Sequence, residues 1–535
     1  MYVVELDGRL VIVDCGVTFP TPEQLGVDLV LPDFSFVRER RDDVEAVILT
    51  HGHEDHIGAV PYLLREIGHV PVYGTRFTLG LVRGKLDEHR LLAGAELVEV
   101  RAGDDSRQIG PFGVEFLQMT HSIPDCVAVV LRTRVGTVLH TGDFKFDHTP
   151  VAGARSDVAG LARLGQEGVL LLLSDSTNAE VPGVNPSERT VGEEFRKVFA
   201  TAPGRVIVTT FASHVHRLQQ ALDAAYADGR VAAIIGRSMT RNINIARNLG
   251  YMDVPDGTLV SPKEIDRRPS DEQVVLSTGS QGEPLSALRR MAHGTHPLID
   301  VRPGDTVVFS SRTVPGNELA VNETINRLRQ VGARVITQED DPRIHVSGHG
   351  RADDLTWMLE LVRPRYFAPI HGEFRHQRAH RELAVGVGVA RDDVFILENG
   401  DVLEVDGDGA RVAGRVESGI TYVDAYGASD VGEGVLRDRR HMSEDGMVLV
   451  VATVDAHDGT LAGEPDIVTR GFGAADDEEL IELIRLEVER SVAASAAERV
   501  TEVDLLQRNL HDVVAGLLYK RTRQRPVILP VVVEV

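Results

Sequence analysis

The chain is poor in cysteine, in long apolar runs and in basic charge. Its 535 residues include only two cysteines, Cys15 and Cys126. This scarcity excludes a disulfide-stapled scaffold and a cysteine-rich zinc module, and it is typical of a reducing compartment. No apolar run approaches the ~20 residues that a membrane-spanning helix needs. We therefore expect a cytoplasmic protein with no membrane partner.

Basic side chains are outnumbered: 57 Lys and Arg stand against 81 Asp and Glu, for a formal net charge of −24. On net charge alone, a nucleic acid is an unfavourable partner. That exclusion is weak for an enzyme, because a local basic channel or a bound pair of divalent cations can outweigh the overall field.

The length exceeds what one hydrophobic core usually serves and predicts two to four domains. The apolar content of 42% and the 51 glycines are typical of an α/β protein. The N-terminal MYVVELDGRLVIVDCG predicts a strand pair rather than a signal peptide. From about residue 186, predicted strands and helices alternate in a parallel, doubly wound pattern that is long enough for a separate domain.

The stretch THGHEDHIGA (50–59) directly follows a predicted buried strand and holds His51, His53, Asp55 and His56. A single loop histidine is usually just a polar residue, but four ligand-type side chains in six positions cost stability unless something binds them. Nitrogen and carboxylate ligands without thiolates suit Zn²⁺ or Mn²⁺. The stretch therefore predicts a metal site.

Further candidate ligands follow other predicted strands: His121 in THSIPD, Asp143 in TGDFKFD and His371 in IHGEF. Each alone is weak support, since a lone histidine at a strand end is more often a satisfied surface or cap residue. Together they lie where the active sites of α/β proteins gather, after the carboxyl ends of strands.

The HxHxDH pattern at 51–56 resembles the metallo-β-lactamase superfamily. Asp143 and His371 lie 228 positions apart. The predicted α/β domain between them is similar to the insertion of the β-CASP nucleases. Two further motifs of those nucleases match Asp175 in LLLSDST and His349 in HVSGHG. Within those nucleases, the chain resembles the bacterial ribonuclease J family over nearly its whole length. The segments that carry this resemblance are TGDFKFD, SDSTNA, FASHVHR, STGSQGEP, SGHG and PIHGEFRH.

The resemblance implies an α/β fold: a metallo-β-lactamase αββα sandwich with an inserted doubly wound β-CASP domain and a small C-terminal α/β domain. The expected boundaries are 1–185 and 341–420 for the two parts of the sandwich, 186–340 for the insertion, 421–446 for a linker and 447–535 for the C-terminal domain. The family usually has a strand and a Gly-rich turn before the equivalent of MYVVEL, so we expect either an upstream start or a missing first strand.

The same resemblance implies two divalent metal ions, Zn or Mn. Its ligand set assigns His51, His53 and His121 to one ion, assigns Asp55, His56 and His371 to the other, and makes Asp143 the bridge. Asp55, Asp175 and His349 are expected to be catalytic. His349, hydrogen-bonded to Asp175, can donate a proton to the leaving 3′ oxygen. Without the family resemblance, Asp175 is equally well interpreted as a helix or turn cap.

An RNA-binding surface is expected at segments whose hydroxyls, imidazoles and free helix N–H groups can bind phosphate. The candidate substrate-binding residues are Ser213, His214, His216, His345, Val346, Ser347, Gly348 and His349.

The implied function is a metal-dependent ribonuclease with 5′→3′ exonuclease activity, preferring 5′-monophosphate RNA, and with endonuclease activity in RNA maturation and decay. The alternatives are a β-CASP DNA nuclease or a small-ester or thioester hydrolase of the same superfamily. The expected partners are single-stranded RNA and a second copy of the chain, in a homodimer or tetramer formed through the C-terminal domain.

Overall fold

A computed structural model describes residues 1–21, 23–314, 316–424, 432–473 and 477–535, without the side chain of Glu433. The chain divides into two compact units, and the larger comprises residues 1–18 and 31–420. The smaller comprises residues 19–30 and 421–535. No helix within the described ranges has both the length and the apolar character to cross a bilayer.

The chain up to Asp175 forms short helices and two sheets. Its elements are β1 Tyr2–Leu6, β2 Arg9–Val13, β3 Leu29–Pro32, α1 Ser35–Glu39, β4 Val44–Ile48, α2 Glu54–Ile57, α3 Val60–Ile67, β5 Val72–Gly74, α4 Arg76–Glu88, β6 Leu97–Glu99, β7 Arg107–Ile109, β8 Phe112–Gln118, β9 Val127–Arg132, β10 Thr137–His140, α5 Val158–Glu167 and β11 Leu171–Asp175. One sheet has the order β1-β2-β4-β5-β6, and the predicted N-terminal strand pair is confirmed as its antiparallel edge.

A regular α/β domain then interrupts this fold. Its elements are α6 Arg189–Thr201, β12 Val206–Thr209, α7 Val215–Ala227, β13 Val231–Ile235, α8 Arg237–Asn248, α9 Pro262–Ile265, β14 Gln273–Ser277, α10 Ala287–Ala292, β15 Thr306–Phe309, α11 Glu318–Val331 and β16 Arg334–Ile336. The sheet order is β13-β14-β12-β15-β16, and every pairing is parallel. The doubly wound prediction is confirmed.

The chain then returns to the first fold. The returning elements are α12 Ala352–Val362, β17 Tyr366–Ile370, α13 Phe374–Gly386, β18 Asp401–Val405 and β19 Ala410–Arg415. Strand β17 pairs in parallel with β11, and Ile370 lies opposite Asp175. The second sheet thus has the order β17-β11-β10-β9-β8-β7. Because this pairing joins segments on both sides of the insertion, it brings residue 371 to the edge where Asp143 and Asp175 lie.

Apolar side chains from both sheets form one core between them. Val11 and Val13 of the first sheet pack with Val114 and Val129 of the second. This is the β-sandwich of the metallo-β-lactamase fold, and the α/β fold class predicted from the sequence is confirmed.

The smaller unit has its own core. Its elements are β20 Ile420–Val423, α14 Glu433–Glu444, β21 Met447–Val454, β22 Asp466–Arg470, α15 Glu478–Ala497, α16 Val503–Thr522 and β23 Val527–Glu534. The sheet order is β22-β21-β23, and alternate residues of β21 pack against the apolar stripes of α15 and α16. The other face of β23 leaves Leu529, Val531 and Val533 about 40% exposed, at 45%, 38% and 43%.

One expectation about local structure differs from the observed elements. The linker predicted at 421–446 contains β20 and α14, although its residues 425–431 lie outside the described part. Leu436 of α14 packs on Val27 and Val30, a contact with a distant segment that local composition does not reveal.

Candidate metal centre

The HxHxDH segment follows strand β4 and runs into helix α2, which contains Asp55 and His56. His51 and His53 meet His121, which follows β8: the His53 Nδ1 lies 3.1 Å from the Nε2 of His51 and 3.1 Å from the Nε2 of His121. With Asp143 these residues form a cluster whose ligating atoms all lie within 4.8 Å of one another. The cluster contains the three histidines that the sequence assigned to the first ion.

A second cluster shares Asp143 and contains Asp55, His56 and His371. The His56 Nε2 lies 3.2 Å from Asp143 Oδ2, and the His371 Nε2 lies 3.3 Å from Asp55 Oδ2. Asp143 is 2% exposed and stands between the two groups. All seven ligands predicted from the sequence are therefore brought together in two adjacent sets.

Hydrogen bonds fix the rings of His51 and His56. Thr50 donates its hydroxyl to Asp14 Oδ2 at 2.7 Å, so the Thr50 oxygen accepts the Nδ1–H of His51 at 3.0 Å. The Nδ1–H of His56 donates to the Asp14 carboxylate at 2.7 Å. In both rings the Nε2 lone pair is left to face the cluster, as a metal ligand requires.

His121 and His371 are held in the same tautomer. The Nδ1–H of His121 donates to the carbonyl of Gly348 at 2.8 Å. Thr177 donates its hydroxyl to Asp175 at 2.7 Å, so its oxygen accepts the Nδ1–H of His371 at 2.9 Å. Oxygen partners at Nδ1 are the usual support of histidines that bind metal through Nε2.

Two buried polar atoms at the centre of the clusters, His56 Nε2 and Asp143 Oδ1, have no hydrogen-bond partner within the described residues. A buried polar group without a partner is costly, and a cation between the clusters would satisfy both atoms. The donor set of imidazoles and carboxylates suits Zn²⁺ or Mn²⁺. The residues present therefore fit a bound metal.

The pKa values divide the histidines by their neighbours. Burial and then the nearby His56 hold the pKa of His51 well below its usual range, and burial lowers the pKa of His53 to about 4. Burial alone would lower the pKa of His56 too, but Asp143 and Asp14 raise it to about 10. Metal binding requires neutral imidazoles, so His56 would have to lose its proton to serve as a ligand.

Asp175 and His349 form a pair beside the clusters. The His349 Nδ1 lies 2.8 Å from Asp175 Oδ2, and both side chains face Asp143 and His371. Burial alone would lower the pKa of His349, but the Asp175 carboxylate raises it above its usual value. The Asp175 carboxylate thereby favours the protonated form of His349, which can give up a proton.

Two glycines allow the backbone to approach the two clusters closely. A Cβ on Gly348 would lie 2.6 Å from the His121 ring, and one on Gly16 would lie 1.6 Å from the backbone oxygen of Asp55. Neither position can hold a larger residue without displacing a ligand.

Arg217 ties the inserted domain to this returning segment. Its guanidinium is fully buried and makes a two-pronged ion pair with Glu188, at 2.6 and 2.8 Å. It also donates to the carbonyls of Ser310 and Val346, at 2.9 and 3.2 Å. Since Arg has no acceptor, the His345 Nδ1 accepts from it at 3.1 Å, which leaves Nε2–H of His345 as a donor.

The expected RNA-binding residues are thus only partly assembled. His214 is buried against Arg217 and Glu188, and Val346 contributes its carbonyl to the same network. His345, Val346 and Ser347 line a cavity of about 490 Å³ together with Asn178, Arg312 and Arg351. Ser213 and His216 are half-buried and do not line it.

Arg312 and Arg351 are the two cations of this cavity without an ion-pair partner in the described chain, and Arg312 donates to Asn178 Oδ1 at 3.2 Å. Asn178 in turn donates to Ser347 Oγ at 2.9 Å. Sequence reasoning missed Asn178, Arg312 and also Asp14, the partner of His56. Asp14 carried a usable signal, an acidic residue between a buried strand and a Cys-Gly turn, whereas Arg312 looks like any surface arginine.

Comparison with known families matches most of the chain. Residues 1–177 match the metallo-beta-lactamase superfamily, 203–328 the beta-CASP domain of ribonuclease J, 343–397 the RNA specificity domain of Zn-dependent metallo-hydrolases, and 434–535 the ribonuclease J C-terminal domain.

Curated relatives match over almost their full length. Ribonuclease J 1 of Streptococcus pyogenes serotype M3 is 42% identical, over 99% of this chain and 94% of its own. Ribonuclease J of Mycolicibacterium smegmatis is 43% identical over 100% and 95%, and that of Thermus thermophilus is 43% identical over 98% and 91%.

Proposed function

Because the chain belongs to the ribonuclease J family of metal-dependent ribonucleases, we propose that it removes nucleotides from RNA in the 5′→3′ direction and also cuts internally, in RNA maturation and decay. The observation that carries the proposal is the complete set of seven ligands beside the Asp175–His349 pair. Incubation with labelled RNA and DNA of matched sequence tests it, because equal cleavage of both would instead favour a general nuclease.

We assign His51, His53 and His121 to one ion and Asp55, His56 and His371 to a second, with Asp143 between them. When bound, two divalent cations, Zn or Mn, activate water and stabilise the charged oxygens of an in-line displacement at phosphorus. The chain fixes the ligand rings through Asp14, Thr50 and Thr177. Metal analysis of the purified protein, expected to give two equivalents per chain, tests the stoichiometry.

His349 is the proton donor to the leaving 3′ oxygen in this proposal. Its ring is held by Asp175 at 2.8 Å, and that carboxylate keeps the ring protonated. Asp175 is itself held by the hydroxyl and N–H of Thr177, at 2.7 and 3.0 Å, so it cannot rotate away from His349. The pair thus combines a fixed direction with an available proton, the two requirements of a general acid.

The cavity beside Ser347 is our candidate for the 5′-phosphate pocket. An exonuclease that releases single nucleotides must fix the distance between the RNA end and the reacting phosphate. Arg312, Asn178, Ser347 and the Nε2–H of His345 offer a cation and polar hydrogens on one wall. Such donors suit a monophosphate.

We expect RNA with a 5′ monophosphate to be degraded from its end much faster than RNA with a 5′ triphosphate, because the bulkier group does not fit. Arg312→Gln should reduce this preference by about 10–100-fold, the usual value of a charge-assisted hydrogen bond. Exonuclease rates on the two RNA ends, measured with metal-loaded protein, check this.

Arg343→Gln is the matched control. Arg343 lines the same cavity, but Asp341 and Glu194 already pair with it, so its loss should leave the preference unchanged. Internal cleavage should depend little on either substitution. A preference that Arg312→Gln leaves intact would remove this cavity from the mechanism.

The C-terminal unit mediates self-association in our proposal, as a homodimer or a tetramer. Strand β23 is an edge strand, and it exposes Leu529, Val531 and Val533 on one face. Edge strands and exposed apolar faces favour pairing with another copy.

Val531→Lys should therefore lower the molar mass measured by light scattering, because a charge on this face opposes its burial. Leu298→Lys is the control: Leu298 is 46% exposed and belongs to the larger unit, and its substitution should leave the mass unchanged. A mass that stays constant in the Val531 variant and after truncation at residue 445 would contradict the assignment. We infer a cytoplasmic location, supported by the RNA substrate and by two free, buried thiols.

A further inference from the structure

A second cavity, of about 550 Å³, lies in the larger unit and is lined by none of the seven ligands. It opens between the loop after β10, the segment before α5, and helix α12. The residues that give it its chemical character are Gln118, Phe146, His148, Arg155, Ser156 and Trp357. None of these side chains has a role in the mechanism described above.

Three rings form one wall. The Trp357 ring lies 4.4 Å from that of Phe146, at 59°, and 5.7 Å from that of His148, at 50°. Phe146 is buried, Trp357 is half-buried and His148 is exposed, so the wall runs from the interior to the surface. The indole N–H has no hydrogen-bond partner within the described residues, whereas the N–H of a packed tryptophan usually finds one. The wall thus presents inclined aromatic rings and one indole donor that no described residue uses.

Polar groups surround this wall. Arg155 is exposed and forms no ion pair with the described residues. Gln118 uses its amide N–H groups on the carbonyls of Met119 and Cys126, at 2.9 and 3.2 Å, which leaves its Oε1 as an acceptor. Asp157, whose Oδ1 caps α5 through Gly160, adds a second acceptor and excludes phosphate from its own side of the cavity.

We propose that this cavity binds one nucleotide unit. Aromatic faces stack on a nucleobase of any type, and the acceptors of Gln118 and Asp157 match the exocyclic amino group of adenine, guanine or cytosine. Arg155 is the cation for the phosphate. The ligand is a nucleoside 5′-monophosphate, either free or as a unit of an RNA strand.

The floor of the cavity adjoins the metal centre. Ser156 Oγ accepts the backbone N–H of Thr120 at 2.9 Å and lies 2.9 Å from its hydroxyl. Thr120 directly precedes the ligand His121. A ligand seated here therefore borders the segment that carries His121, and none of the seven candidate ligands lines the cavity.

Trp357 is the only tryptophan in the chain, so tryptophan fluorescence reports directly on this cavity. Metal-free protein, which cannot hydrolyse RNA, is titrated with AMP, GMP, CMP, UMP, ribose 5-phosphate and a short single-stranded RNA. We expect saturable quenching by the three nucleotides with an amino group, about threefold weaker binding of UMP, and no quenching by ribose 5-phosphate. Arg155→Gln should weaken nucleotide binding by about tenfold.

The Ser347→Ala variant distinguishes this cavity from the one beside Ser347. Quenching caused by binding beside Ser347 should be weaker in Ser347→Ala and unchanged in Arg155→Gln. That pattern, or quenching no larger than the inner-filter loss of free N-acetyltryptophanamide, would overturn the proposal. Quenching by mononucleotides alone assigns the cavity to free nucleotides. Tighter binding of the RNA assigns it to the substrate strand.

Discussion

Replacing His53 and His56 together by alanine should abolish RNA hydrolysis, with a rate loss of about 10⁴-fold or more, equal to roughly 5–6 kcal/mol of transition-state stabilisation. Each substitution removes a candidate ligand from a different cluster. Loss of His56 also deprives Asp14 of its hydrogen-bond partner and Asp143 of a neighbouring charge. Gel-based cleavage of end-labelled RNA measures the loss. Metal content should fall in parallel.

The fold should persist in this variant, because neither side chain belongs to the apolar core between the sheets. Circular dichroism and the molar mass check this point. The control is His457→Ala with His511→Ala, two exposed histidines of the smaller unit, which should cleave at the original rate. A folded double variant of His53 and His56 with near-original activity would refute the metal assignment.

Substituting His349 by alanine should slow cleavage by about 10²–10⁴-fold, the usual contribution of a general acid. The reason is the loss of the proton that the Asp175 carboxylate holds on its ring. His349 belongs to neither of the two ligand sets, so metal content should remain. Single-turnover cleavage of RNA at saturating enzyme measures the chemical step.

A substrate whose scissile 3′ oxygen is replaced by sulfur distinguishes proton donation from positioning. A thiolate leaves without a proton, so this substrate should restore most of the rate in the His349→Ala variant. Asp175→Asn should respond in the same direction but more weakly, since it lowers the proton affinity of the ring without removing it. Equal losses on both substrates would mean that His349 only positions the RNA.

The candidate ligand set could be picked out from the sequence because metal chemistry restricts both residue type and spacing. His51, His53, Asp55 and His56 are recognisable within one loop, and His121, Asp143 and His371 each follow a strand. The alternating insertion was predictable for a similar reason, since buried parallel strands are nearly continuous apolar runs.

The groups that support the ligands were harder to find. Arg217 reads in sequence as a helix surface residue, and only the packing of α7 against Ser310 and Val346 makes it a buried connector. Arg312 similarly becomes a candidate phosphate contact only because it bonds Asn178, which in turn bonds Ser347. Such roles depend on contacts between residues that are far apart in the sequence, which local patterns do not encode.

The pairing of β11 with β17 also sets a schedule for synthesis. His371 is made 228 positions after Asp143, which at about 5–20 residues per second takes roughly 10–45 s. Throughout that interval the emerging chain has six of the seven candidate ligands but lacks His371. Until just before the end it also lacks His349, the partner of Asp175. A growing chain is thus surrounded by the RNA of the ribosome while its own cutting centre is still incomplete, because the insertion separates the synthesis of the two halves of the site.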